Sequence, residues 1–304
     1  MKQVTISKKG RDTFAKENPT VADKTFRVVI KSWLIAFATI FLMTCAPQQT
    51  KNGEWVPLFN GKDLTGWDTY LSFSHKEGAD KTPYGLNNDP EQIFTVVKED
   101  GQPAIRVAGD VGGGISTWKE FENYHLSLQF KWGEAMPWKT RKKRDSGLLY
   151  HAVGPHGVAG GHWMRSQEFQ IQEGDCGDYW GVAGGIFDIP ATQKDKNTWV
   201  YDKEADRVTF KEKTPIGRHC DKNPDGENPT GEWNTLELYC LGSTSVHVVN
   251  GVVTMVLYNS RQGLEGEVET PLTKGKIQLQ SEGAELFYRD VKIRKITSMP
   301  EGLL

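Results

Sequence analysis

The 304-residue sequence has few cysteines, almost no net charge and only one continuous apolar run. Its four cysteines have no CxxC spacing, so a zinc site of the finger type is not expected. Lysine and arginine total 37 against 39 aspartate and glutamate, which argues against a basic surface for nucleic acid. Long stretches of helical period are also missing after residue 53, which argues against helical bundles and βαβ folds.

The apolar run lies near the N-terminus, at Trp33–Met43. It is shorter than the ~20 residues that cross a bilayer but has the length of a signal-peptide core. Lys24, Arg27 and Lys31 precede it, and a Leu-Met-Thr-Cys sequence that resembles a lipobox ends at Cys45. We expect a lipid on Cys45, a membrane-anchored mature protein and a periplasmic location. Ordinary signal cleavage beside an incidental cysteine is the alternative.

The rest of the chain is long enough for one large core. The predicted division is an extension and signal over residues 1–45, a tether over 46–54, one domain over 55–296 and a tail over 297–304. In an oxidising compartment a Cys176–Cys220 disulfide is an open alternative to free thiols.

Short strands between glycine-rich turns dominate this domain. Tyr124–Trp132 and Glu168–Gln172 alternate apolar and polar residues, and Ser245–Tyr258 holds an Asn-Gly pair typical of a β-hairpin. Many strands with one apolar face predict an all-β fold, an antiparallel β-sandwich. The segment Asp175–Thr230 is rich in Gly, Asp, Lys and Pro, and we predict that it forms long loops around a site; plain insertions are the alternative.

Five motifs occur in order along the domain. They are FNGKDLTGW (Phe59–Trp67), DSGLLYH (Asp145–His151), EFQIQEGD (Glu168–Asp175), GEWNTLELYC (Gly231–Cys240) and GKIQLQSEGAELFYRDVKI (Gly275–Ile293). Together they resemble the 3-keto-disaccharide hydrolase family in its lipoprotein form. The resemblance implies a concanavalin A-like jelly roll whose concave sheet holds a sugar. It also implies cleavage of glycosides whose C3 hydroxyl has been oxidised to a ketone.

The residues themselves favour a carbohydrate site on one strand face. If Phe169 and Ile171 enter the core, then Glu168, Gln170 and Gln172 share the opposite face. Amides donate and accept hydrogen bonds at once, which suits sugar hydroxyls. Gln280 belongs to a second strand of the same pattern, and we predict that it binds substrate as well. A solvated sheet surface is the alternative.

A C3 ketone acidifies the proton on C2, so a base could remove it and expel the C1 substituent; water would then add to the enone. We predict Glu168 or His151 as the catalytic base. His162, Arg165, Lys131 or a bound divalent ion would stabilise the enolate oxygen. A histidine–carboxylate pair suits Mn, Co or Zn, but no spacing in the sequence is diagnostic of a metal site.

Two other functions remain open at this point. Conventional glycoside hydrolysis needs a second acid facing the first, and Glu173, Asp145 and Glu282 are its candidates. A non-catalytic, lectin-like module would bind a carbohydrate without cleaving it. Trp163 and Trp180 flank the Glu168 strand, and we predict that their rings stack on the sugar in either case.

Overall fold

The computed structural model describes residues 53–74 and 80–304, which belong to one compact unit, Gln49–Leu304. The predicted signal, Cys45 and most of the predicted tether lie outside the described residues. In the described part of the chain, no helix has the length and apolarity needed to cross a bilayer.

The described residues form twenty β-strands. They are β1 Val56–Pro57, β2 Trp67–Leu71, β3 Gly85–Leu86, β4 Phe94–Glu99, β5 Gln102–Val107, β6 Gly113–Thr117, β7 Tyr124–Trp132, β8 Asp145–Val153, β9 Arg165–Gln172, β10 Tyr179–Val182, β11 Gly185–Gln193, β12 Trp199–Tyr201, β13 Arg207–Phe210, β14 His219–Cys220, β15 Asn234–Leu241, β16 Thr244–Val249, β17 Val252–Gln262, β18 Thr270–Pro271, β19 Lys276–Ser281 and β20 Leu286–Lys295.

The strands make two antiparallel sheets. The first has the order β12-β11-β17-β16-β15-β7-β20-β5-β4, with β1, β13 and β18 paired at its margins. The second has the order β14-β10-β9-β8-β19-β6-β2-β3. About half of the neighbouring pairs in each order join strands that are not consecutive in the chain, as in a jelly roll.

Strand alternation builds the core between the sheets. Leu126, Leu128 and Phe130 of β7 are fully buried, as are Phe169 and Ile171 of β9. Their polar neighbours along the strand point to the other face of each sheet, because successive side chains alternate. The predicted all-β antiparallel sandwich of jelly-roll type is confirmed.

The predicted hairpin is also present, between β16 and β17. Asn250 and Gly251 connect the strands with φ of 51° and 80°, so both occupy the left-handed region that a tight hairpin turn requires. The side-chain amide of Asn250 also donates to the Gly226 carbonyl at 2.8 Å, which ties the turn to the preceding segment.

The prediction of long loops over Asp175–Thr230 is wrong in part, because this segment contributes β10 to β14 between its loops. Ile186, Phe187 and Ile189 of β11 are fully buried, so a short apolar pattern was present between the turn residues. Cys176 and Cys220 are both free thiols, so the disulfide alternative is not realised in the structure.

Candidate functional site

A cavity of about 700 Å³ opens on the face of the second sheet that points away from the core. Strands β8, β9 and β19 supply its polar floor, including Asp145, Glu168, Gln170 and Gln280. Loops that follow and precede these strands complete the walls. The cavity is large enough for a ring-shaped ligand.

Register places the floor residues side by side. In the pairing of β8 with β9, Gly147 lies opposite Gln170, and Asp145 lies opposite Gln172. Trp180 of β10 lies opposite Glu168 on its other side. Paired residues point to the same face of a sheet, so these side chains all face the cavity.

Gly147 makes the centre of the floor. A Cβ atom on this glycine would collide with Glu168 Oε1 and with Gln280 Oε1. The missing side chain therefore leaves the space in which a carboxyl from β9 and an amide from β19 meet. The Gln280 amide opposes the rise in the pKa of Glu168, and Gln170 Nε2 donates to Asp145 Oδ1 at 3.2 Å.

Three carboxyl groups share this floor. Glu168 is only 6% exposed, and burial, followed by the charges of Glu282 and Asp145, raises its pKa well above the ordinary value. Burial also raises the pKa of Asp145 and of Glu282. The Arg141 guanidinium donates to both of these carboxylates and opposes the rise in their pKa. Arg141 bonds to Asp145 and Glu282 but not to Glu168, so burial favours the neutral form of Glu168 without that opposition.

Aromatic and cationic side chains form the walls. Trp163 is fixed by its indole N–H, which donates to the Gly113 carbonyl at 3.0 Å. Trp180 stacks on His219 with 4.1 Å between ring centroids, and the Arg218 guanidinium lies 4.9 Å from the indole centroid. Arg218 lines the same cavity as Glu168, and its charge opposes the rise in the pKa of that carboxyl. Two flat rings and a cation therefore border the polar floor.

Of the predicted site residues, the structure brings together Glu168, Gln170, Gln172, Trp163, Trp180 and Gln280. The cavity lining does not include His151, His162, Arg165 or Lys131.

His151 lies in the core. Its ring packs edge-on against Tyr124 and Tyr150, with centroids 5.7 Å and 5.3 Å away, and burial lowers its pKa to about 4. Simple alternation along β8 would put His151 on the same face of the sheet as Leu149, which is the register partner of Glu168. Instead, His151 has a φ of 51°, and the β8–β9 register shifts between Tyr150 and Val153. This irregularity turns the imidazole inward and removes it from the site.

Lys131 is on the wrong sheet for its predicted role. It belongs to β7 of the first sheet, where its ammonium pairs with Glu99 and, at 2.9 Å, with Asp100. Along β9, the alternation of side chains places Arg165 with Phe169 rather than with Glu168, so it belongs to the face opposite Glu168. Its Nη1 lies 3.4 Å from Glu267 Oε2. His162 packs over Gly112, where a Cβ would collide with its ring.

Sequence reasoning missed Arg141 and Arg218 as cavity residues. Arg141 lies in a basic segment that ends one residue before the DSGLLYH motif, so proximity to Asp145 was a usable signal. Arg218 lies in the loop before β14, and the pairing of β14 with β10 brings it to the cavity. Asp145 and Glu282, considered above only as second acids, are part of the floor.

One group of described residues could hold a metal ion, namely Asp178, His219 and Asp221. Their ligand atoms lie within 4.8 Å of one another, and imidazole with two carboxylates suits Mn, Co or Zn. His219 Nε2 is 3.0 Å from Asp178 Oδ2. The group lies behind Trp180 rather than in the cavity lining, so an ion there would not touch a ligand on the floor.

The sequence profile of the 3-keto-alpha-glucoside-1,2-lyase-like domain matches residues 54–294. The chain belongs to this family. The family resemblance predicted from the five motifs is therefore confirmed, and membership supports a carbohydrate-active function. No curated protein sequence matches the chain.

Solved structures of similar fold have low sequence identity to the chain. One is a protein of Parabacteroides distasonis ATCC 8503 provisionally assigned as a glycosyl hydrolase, with 20% identity, 80% of this chain and 100% of that chain covered, and a TM-score of 0.45. A Bacillus subtilis protein with a galectin-like fold has 12% identity, coverage of 82% and 97%, and a TM-score of 0.40. The carbohydrate-binding module CBM66 of Bacillus subtilis has 9% identity, coverage of 66% and 92%, and a TM-score of 0.33.

Proposed function

We propose that this chain is an enzyme that cleaves 3-keto-glycosides by elimination and hydration in the cavity on the second sheet. The observation that carries the proposal is the buried Glu168 carboxyl at the floor of an open, polar and aromatic-walled cavity. Membership of the family adds the substrate class, which its description names for the family and not for this chain.

Glu168 acts as the base. Its ionised form takes the proton from C2, the C1–O bond breaks, and a C1–C2 double bond forms beside the ketone. Burial and two neighbouring carboxyls favour the neutral form of Glu168, so accepting the proton relieves the cost of a buried charge. The proton then passes to the departing oxygen, and water adds across the double bond to release the 3-keto sugar.

Arg218 takes the second role that the chemistry needs. Negative charge moves onto the ketone oxygen as C2 loses its proton, and a fixed cation lowers the energy of that state. Arg218 borders the cavity, is held by donation to the Gly181 carbonyl at 2.8 Å, and acts electrostatically on Glu168. It replaces Lys131, Arg165 and His162 in this role.

Glu168→Gln tests the proposal, because the amide keeps the shape of the side chain but cannot accept the proton. With a 3-keto-glycoside as substrate, we expect turnover to fall by roughly 10²–10⁴-fold, followed by enone absorbance and product mass. The matched control is Glu204→Gln at an exposed turn, which should keep full activity. Unchanged turnover in the Glu168 variant would remove this residue from catalysis.

Conventional glycoside hydrolysis is the second candidate, because Asp145 and Glu282 line the same cavity as Glu168 and either carboxyl would serve as the second acid. The same assay separates the functions. Cleavage of the unoxidised glycoside would favour conventional hydrolysis, and binding of either sugar without any product would favour a lectin-like module.

We also propose that Cys45 carries a lipid and holds the enzyme at the periplasmic face of a membrane. The support is the apolar run that ends at Cys45 in the sequence. Cys45→Ser should abolish incorporation of labelled fatty acid and move the protein out of the membrane fraction. Fatty acid incorporation into the serine variant would exclude Cys45 as the acceptor.

A further inference from the structure

Two buried amide oxygens on the cavity floor have no hydrogen-bond partner among the described residues. They are Gln170 Oε1 and Gln280 Oε1. Both residues are more than nine-tenths buried, with 6% and 1% of their surface exposed, and both line the cavity. A buried polar atom without a partner costs on the order of 1–3 kcal/mol, so such atoms are rare unless a ligand completes them.

The contacts inside the floor show which end of each amide lacks a partner. Gln170 uses its Nε2 to donate to Asp145 at 3.2 Å. Gln280 Oε1 lies over Gly147 and has no donor among the described residues. In both amides it is therefore the oxygen that lacks a partner on the floor. What remains for a ligand is a pair of acceptors.

Gly147 brings the two acceptors to one place. It lies opposite Gln170 in the β8–β9 register, and Gln280 Oε1 occupies the space above its Cα. A single ring that lies over Gly147 can therefore reach both oxygens.

We propose that the two amide oxygens of this floor accept hydrogen bonds from two hydroxyl groups of one sugar ring, and that the ketone of the substrate faces away from the floor. The proposal takes its substrate from the function proposed above, whereas its binding geometry rests on the floor residues alone. A hydroxyl can donate to an amide oxygen, whereas a ketone has no hydrogen to donate. A ketone over Gln170 or Gln280 would leave an acceptor unpaired and face another acceptor. The ketone therefore belongs on the side of Arg218, where a cation is available.

The test is a binding map that needs no turnover. Methyl α-glucopyranoside and its four monodeoxy analogues, lacking the hydroxyl at C2, C3, C4 or C6, are titrated by calorimetry or ligand-observed NMR. We expect two of the four deletions to weaken binding by about tenfold each, since a buried acceptor is left unpaired. Position 3 should not be one of the two.

Gln170→Leu and Gln280→Leu identify the partner of each hydroxyl. Each variant should bind the parent sugar about tenfold more weakly, and each should abolish the effect of one of the two deletions. Gln193→Leu, at an exposed position on β11, is the matched control and should keep the wild-type map. The melting temperatures of the two cavity variants check that both remain folded, and the loss of one deletion effect in each variant is a result that a purely structural glutamine would not give.

Several outcomes would overturn the proposal. These are a failure of the wild type to bind the parent sugar, a sensitivity to deletion at C3, or variants that keep the wild-type discrimination. The failure of the proposed catalysis would look different, since the binding map would stand while 3-keto-glycosides stayed intact. Conversely, turnover of 3-keto-glycosides together with a different set of sensitive hydroxyl positions would overturn only the proposed orientation of the ring.

Discussion

At the scale of single residues, the burial of Glu168 on the cavity floor lowers the stability of the fold when this carboxyl is ionised. Burial raises the pKa of Glu168 well above the 4.5 of a free glutamate, so the folded protein binds this proton more tightly than the unfolded chain. The fold therefore loses stability as pH rises above about 4.5 through the raised value, because the charged form is disfavoured only in the folded state.

This sign gives the first prediction, for Glu168→Gln. The amide carries no charge at any pH, so the variant should melt at a higher temperature than the wild type at pH 7 to 8. Each kcal/mol gained corresponds to roughly 2–4 °C in a domain of this size. At pH 4, where the wild-type carboxyl is protonated in both states, the difference should vanish. Thermal unfolding across this pH range is the measurement, and a lower melting temperature at pH 8 would contradict the assignment.

Arg141 affects the protonation of the carboxyl groups on the cavity floor. Its guanidinium donates to Asp145 and Glu282 and favours their charged forms, whose negative charge in turn raises the pKa of Glu168. In Arg141→Gln, Asp145 and Glu282 should hold protons more tightly and Glu168 less tightly.

The ascending limb of the activity–pH profile should then move to lower pH in Arg141→Gln. Arg141→Lys keeps the positive charge and should keep the limb close to the wild-type position. The profile of kcat is the measurement, because it reports groups in the substrate complex. An unshifted limb in the glutamine variant would show that Arg141 only packs against the floor.

At the scale of strands, β8 combines a glycine and an irregularity within five residues. Gly147 does not need a left-handed backbone, so only the space above it forbids a side chain. Gly147→Ala would push a methyl group between Glu168 and Gln280. We expect it to lower sugar affinity at least tenfold, measured by calorimetry, while the far-ultraviolet circular dichroism stays that of a β-protein. Wild-type affinity would mean that the ligand does not rest on this floor.

The strands also show what sequence alone can predict. The alternation of Glu168–Gln172 predicted a core face and a polar face, and a two-residue period suffices for that inference. His151 needed knowledge of a bulge, and Lys131 needed knowledge of which sheet β7 joins. Both depend on pairing between residues far apart in the chain. The meeting of Arg141 with Glu282 has the same origin.

At the scale of the whole molecule, the sandwich buries its thiols without joining them. Cys176, Cys220 and Cys240 are free and almost wholly inaccessible, and burial raises the pKa of each thiol. The thiolate is the reactive form, so these three groups should be inert in the folded protein. Dithiothreitol should leave the melting temperature unchanged.

Thiol labelling with a chromogenic disulfide in native buffer and in denaturant measures this directly. Three of the four cysteines should react only after unfolding, and in the native protein their reaction should be limited by the unfolding rate. Cys45→Ser is the control that restricts the count to the buried three. Fast native labelling of any of them, or a melting temperature that falls in reductant, would contradict the packing described for the core. A domain that keeps its thiols inaccessible in this way can work in an oxidising compartment without depending on a disulfide.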